Sequence, residues 1–258
     1  MNTASPTPGA VPPQLPLSPI PPGPAALGDI PAEREPIGSP LGAVEAVLRQ
    51  PRRLMFQLRQ PGAGRLIGGM VLVALICSLV YGVVVGTFSM GPQLWAAPVK
   101  IALGLLVSAL ICLPSLYIFT CLSGSQARLT EMCGLLTGLL MLTTILLIGF
   151  APVAWLFSQS TESEGWMGTL HLLFWLVATA FGVRFLQAGF SHSRARSQAG
   201  LAVWVILFVL VALQMTTALR PIVGKADTFL PTEKKFFLAH WGDCLKLDAP
   251  AERPKPQQ

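Results

Sequence analysis

Residues 66–88 read LIGGMVLVALICSLVYGVVVGTF, from Leu66 to Phe88 without one charged side chain. A helix needs about 20 apolar residues to cross a hydrocarbon core of roughly 30 Å, and this stretch is long enough. Lipid offers no partner to open backbone groups, so such a stretch must close its hydrogen bonds within itself as a helix. It lacks the apolar-polar alternation of a barrel strand.

Four more runs of this kind follow, at about Ile101 to Leu122, Cys133 to Phe157, Trp166 to Gln187 and Gly200 to Leu219. The sequence therefore predicts an all-α fold, a polytopic membrane helix bundle with about five transmembrane helices. Charge placement supports the same map. All 12 acidic residues fall outside the five runs, and Arg184, near the end of the fourth, is the one basic residue inside them. Composition agrees, since 12% of the chain is charged against the roughly 25% a soluble surface needs. Two runs contain a proline, Pro114 and Pro152, which should kink its helix or free carbonyls for neighbours to satisfy.

The chain before the first span divides in two. Twelve of the 23 prolines lie in residues 1–40, in stretches such as Pro21-Pro22-Gly23-Pro24. Proline removes backbone donors, so this part reads as a proline-rich, disordered cytoplasmic leader, a solvated tail or a ligand for a proline-recognising partner. It has no basic segment followed by a short apolar core, and so does not read as a cleavable signal peptide. Residues 41–63 read as a basic amphipathic interfacial segment. Leu41, Val44, Val47 and Leu48 share one helical face, Pro51 breaks the pattern, and Leu54, Met55 and Leu58 resume it. Arg49, Arg52, Arg53 and Arg59 fill the gaps and are the candidate contacts to an anionic lipid surface.

Residues 64–222 then form the transmembrane domain and 223–258 an extracytoplasmic tail. The excess of Lys and Arg in short connections sets orientation. With the N-terminus cytoplasmic, the inside receives the arginines before the first span, Arg128, Arg194 and Arg196, while the outside receives Lys100, Glu162 and Glu164. Five spans leave the C-terminus outside, with Arg220, Lys225, Lys234 and Lys235 as the main contrary charges, and the membrane is the inner one if the source is bacterial. In the tail, Pro231-Thr232 starts a short amphipathic helix with Phe237, Trp241, Cys244 and Leu245 on one face.

Function classes narrow by what the spans lack. No carboxylate lies within them, which removes the usual proton relays, Na⁺ ligands and aspartyl dyads. His171, His192 and His240 are scattered, and the five cysteines have no metal-ligand spacing, so no metal site is expected. Phosphate-cradling glycine loops and serine elbows are missing, so no catalytic residue and no cofactor is expected either. The net charge of +6 sits beside the spans rather than in a nucleic-acid-binding patch, so no nucleic-acid partner is expected.

What the spans do carry are packing signals. Gly82 with Gly86, and Gly134 with Gly138, match the spacing that lets helix backbones approach closely, and Gln214, Thr143 and Thr144 offer hydrogen bonds between helices. Gly82, Gly86, Gly134, Gly138 and Gln214 are the helix-packing candidates, within one bundle or in a homo-oligomer.

A proline-rich N-terminus, the entry Leu48-Arg49-Gln50-Pro51-Arg52-Arg53 ahead of Phe56, and five clustered spans resemble the Yip1-type membrane proteins. The eukaryotic members are linked to vesicle trafficking and small-GTPase partners and carry an Asp-Leu-Tyr-Gly-Pro type motif before the first span. This chain has no such motif, so the resemblance is to the bacterial branch and implies topology rather than a trafficking role. The expectation is a non-enzymatic integral membrane protein, a scaffold or accessory factor in membrane organisation or assembly. Its partners are the lipid bilayer, a protein met through the leader, or a second copy. A small transporter or permease component is the alternative.

Overall fold

The computed structural model describes residues 26–89, 91, 93–125, 127–161, 163–191 and 199–218. Among them are eight helices and no strand: α1 (Pro31–Arg34), α2 (Pro40–Arg49), α3 (Pro51–Leu58), α4 (Ala63–Ser89), α5 (Gln93–Leu122), α6 (Leu129–Ser160), α7 (Glu164–Ser191) and α8 (Ala199–Ala218). Five of these, α4 to α8, are long and apolar enough to cross a membrane. The protein is an integral membrane protein with an all-α bundle. The helix expected near Pro231, the tail 223–258 and leader residues 1–25 lie outside the described residues.

The spans are arranged as a row in which α8 lies against α5, α5 against α4, α4 against α6, and α6 against α7. Helix α6 is the centre of the core. From Gly134 to Thr144 every residue is buried, which explains why this segment is apolar all round instead of striped. Its far part turns outward again, with Val153, Trp155, Leu156 and Phe157 exposed. The other spans show lipid-ready faces, such as Leu72, Ile76, Val80 and Val83 along α4 and Val203, Ile206, Leu207 and Leu210 along α8.

The second span begins earlier than Ile101. Helix α5 starts at Gln93 and takes in Trp95, Pro98 and Lys100, so Lys100, expected in an outside connection, lies within a transmembrane helix instead. Pro98 and Lys100 interrupt the apolar run in the sequence, yet neither interrupts the helix. Gly82 of α4 has no Cβ where Pro98 packs: a Cβ built there would lie 2.3 Å from the Pro98 Cα. Further along, Pro114 stays inside α5. Two residues before it, the Cys112 carbonyl accepts from Nε1 of the fully buried Trp204 at 2.9 Å and from the Ser115 hydroxyl at 2.8 Å. The first of these bonds ties α8 to α5 close to the proline.

Helices α1 to α3 form a cap at the end of the bundle where α4 and α6 begin. Ser39 caps α2 by accepting from the Gly42 backbone at 3.0 Å, with Pro40 in the first helical position. Buried Leu54, Met55 and Leu58 of α3 join the core cluster shared with α4, α6 and α7.

Candidate functional site

Two regions carry polar groups in unusual positions, the cap at the basic end and a buried layer near the opposite end. In the cap, residues 26–40, read from the sequence as leader, are folded onto α3. Glu33, 4% exposed, pairs with Arg52 and accepts from the Gly28 backbone at 2.6 Å. Gly28 has a φ of +94°, and the Phe56 ring lies where its Cβ would be, so only glycine fits that turn. Arg52 also donates to the Ala26 carbonyl at 3.1 Å. Arg53 donates to the Glu35 and Pro36 carbonyls at 3.1 and 3.3 Å and lies 3.5 Å from the Glu35 carboxylate. The Gln57 amide closes the turn against the Glu35 carbonyl at 3.1 Å.

The four arginine candidates therefore fall into distinct environments. Arg52 and Arg53 clamp the cap to itself. Arg59 reaches across to Glu131 in the first turn of α6, at 3.7 Å, and ties cap to bundle. Arg49 is exposed and pairs with Glu45 on its own helix, at 3.7 Å. Arg65, at the start of α4, is exposed as well. Glu33 and Glu131 escaped the sequence reading because nothing in the spacing of either links it to an arginine 19 or 72 positions away.

The glycine candidates sit at close approaches. Gly82 faces Pro98 of α5, Gly134 faces Leu58 of α3, and Gly138 faces Phe185 of α7 with Met70 of α4 beyond it. Gly86 is buried, and Gln214 is half-buried on α8. Two further glycines on α7 do the same work: Gly182 meets the Leu139 carbonyl and the Thr143 hydroxyl, and Gly189 meets Leu135. Their seven-residue separation is a packing signal that the four-residue search passed over.

The buried layer lies towards the other end. The Tyr81 hydroxyl of α4 is 2.8 Å from Nδ1 of His171 of α7, and the two rings meet edge to face. When the neutral imidazole accepts at Nδ1 from the phenol, its proton is on Nε2, and that atom is buried without a protein partner among the described residues. Lys100 of α5 is 1% exposed. Tyr81 lies eight residues before the end of α4, while Lys100 and His171 lie seven residues after the starts of α5 and α7. At 1.5 Å per residue all three are about 10–12 Å in from the helix ends, at a common depth. Deeper in, the Thr143 and Thr179 hydroxyls of α6 and α7 are also buried without partners among the described residues.

Outside this layer is an aromatic rim. Trp95 and Trp166, 81% and 70% exposed, stand two residues from the starts of α5 and α7, and exposed Trp155 and Phe157 stand near the end of α6. Tryptophan at one end and arginine at the other match the interface preferences of a membrane-spanning bundle. No cluster of three metal-ligating side chains occurs among the described residues. No family model matches the chain, and no curated protein or solved structure matches it.

Proposed function

We propose that this protein is a non-enzymatic membrane scaffold or accessory factor in membrane organisation or assembly, with its N-terminus cytoplasmic and its C-terminus outside. The observation that carries the reading is the cap. A segment with five arginines before the first span is clamped to itself by the Glu33–Arg52 pair and held to the bundle by the Arg59–Glu131 pair, so cap and bundle present one surface at the end from which the leader emerges. The tight glycine contacts between α4 and α5 and between α6 and α7 support a packed anchor over a conduit. The order of leader, basic entry and five spans supports a Yip1-type relationship of the bacterial kind, and the basic end supports a cytoplasmic N-terminus.

Crosslinking in native membranes, with partners identified by mass spectrometry, tests this reading. The comparison is between the full chain and a chain lacking residues 1–25, a deletion that leaves Glu33 in place to hold Arg52. Specific partners that depend on residues 1–25 are the expected result; no partner in either sample would sink the scaffold reading. The second reading, a small transporter or permease component, is favoured by one observation, the depth shared by Lys100, Tyr81 and His171, because ionisable groups inside a bundle commonly mark ion or substrate paths. Solute or proton flux into liposomes that disappears with Lys100→Met would establish it in place of the first.

A further inference from the structure

Helix α2 has three sides, and the bundle occupies one of them. At about 100° per residue, Ala43, Ala46 and Val47 share the side that is buried against the rest of the protein. Glu45 and Arg49 form a charged strip on the opposite side, joined by their ion pair. Between the two runs an apolar strip of Val44, Leu41 and Leu48, with Leu41 80% and Leu48 49% exposed. An isolated exposed leucine is ordinary, but a strip of three on a helix that has already buried another apolar side is not what a water-facing helix presents.

The position of α2 says what covers that strip. The Pro40 ring, at the start of α2, lies 3.9 Å from where a Cβ of Gly69 would be. Gly69 is six residues into α4, about 9 Å along its axis, and three residues past Leu66, where the apolar run begins. It also adjoins the exposed stripe of α4 that continues through Leu72 and Ile76. Leu41, the next residue of α2, is therefore at the depth where a bilayer changes from head groups to acyl chains. Exposed Arg49 and Arg65 supply positive charge at the same end.

We propose that α2 is embedded edgewise in the leaflet on the N-terminal side. Val44, Leu41 and Leu48 enter the acyl boundary, Glu45 and Arg49 face water and head groups, and anionic lipid is the partner of Arg49 and Arg65. This is independent of the scaffold reading, and it moves lipid contact from the arginine cluster as a whole to an apolar strip flanked by two arginines. Arg52, Arg53 and Arg59 serve the cap itself.

The test uses the full chain in vesicles of phosphatidylcholine and phosphatidylglycerol. Leu41→Cys, Val44→Cys, Leu48→Cys, Glu45→Cys and Arg49→Cys are made one at a time and labelled with a membrane-impermeant maleimide, each site being read by peptide mass spectrometry so that native cysteines stay in place. Rates at 41, 44 and 48 at least tenfold below those at 45 and 49, with the protein monomeric under a bis-maleimide crosslinker, are the expected result. Rates within threefold of one another at all five positions place the strip in water and overturn the proposal. Slow labelling combined with crosslinked dimers through position 48 assigns the strip to a second copy and overturns it equally. Each variant replaces a side chain outside the buried face, and five positions keep the result readable if one variant is lost.

Discussion

The two ends of this bundle handle polarity in opposite ways. At the basic end the paired charges are exposed or half-exposed except Glu33, which is buried against Arg52, and the other pairs are Glu35 with Arg53, Glu45 with Arg49 and Glu131 with Arg59. A separate layer of helices covers the core there, and α6 is buried at every position from Gly134 to Thr144. At the aromatic end no cap is present among the described residues. Tryptophans face outward, and the polar groups Tyr81, His171 and Lys100 are enclosed between spans. One end therefore keeps its charges paired and, Glu33 apart, within reach of water and head groups, and the other carries polar groups where only protein can stabilise them. Such a division fits the proposed anchor with a presenting surface at one end. It also leaves the enclosed layer as the place where a second activity would reside.

The contrast can be broken most severely at the helix contact beside the enclosed layer. Gly82→Ala puts a methyl group 2.3 Å from the Pro98 Cα, and because the obstacle is backbone, α4 and α5 must separate. A loss of about 3 kcal/mol is expected in micelle unfolding. Gly68→Ala, at a helix position with open space around it, should stay within about 0.5 kcal/mol. Equal effects would mean that the α4–α5 contact is not tight.

Next in size is Arg52→Ala, which leaves the buried Glu33 carboxylate without its guanidinium. Arg52 is itself about one-third exposed, so the penalty is set below that of a fully buried pair, at about 2 kcal/mol. The effect should be local: residues 26–39 should become protease-sensitive and exchange amide hydrogens faster while the spans stay protected. Unaltered exchange in that segment would show that α1 does not depend on the clamp.

A smaller effect is expected in the enclosed layer. Tyr81→Phe removes one hydrogen bond between helices and keeps the ring, at a cost of about 1 kcal/mol. His171→Ala should cost more than Tyr81→Phe, since it also leaves a gap beside Tyr81. If the two variants and their double are additive, the 2.8 Å contact contributes no coupling. Smallest is Arg59→Gln. With both partners partly exposed at 3.7 Å, it should lower stability by less than about 1 kcal/mol, and the remaining effect should shrink in high salt. A salt-independent loss would mark this contact as packing rather than charge.

Much of the fold was legible because membrane spans are written as long uninterrupted apolar runs whose backbone has one way to satisfy itself. The error at the second span is instructive for the same reason. Trp95 to Lys100 contains a proline and a lysine, which break an apolar run in sequence without breaking a helix that has Gly82 beside Pro98. The candidate sites were less legible. Arg49, Arg52, Arg53 and Arg59 look alike as a basic stretch, and nothing in their spacing says that three of them join separate parts of the chain while the exposed Arg49 meets Glu45 on its own helix.

By itself the sequence determined a membrane-spanning all-α bundle, its five spans and the arginine-rich entry ahead of the first of them, because each depends on composition and period along the chain. Only the tertiary structure decided that residues 26–40 are part of a folded cap, that Lys100 is enclosed, that Tyr81 meets His171, and that α2 keeps an uncovered apolar strip. Those features depend on which helix lies beside which, and that choice is made by pairwise fits such as Gly82 on Pro98 and Gly138 on Phe185. In a bilayer, where apolar side chains are as well solvated by lipid as by one another, shape at such contacts selects the neighbour, and hydrophobicity alone does not record it.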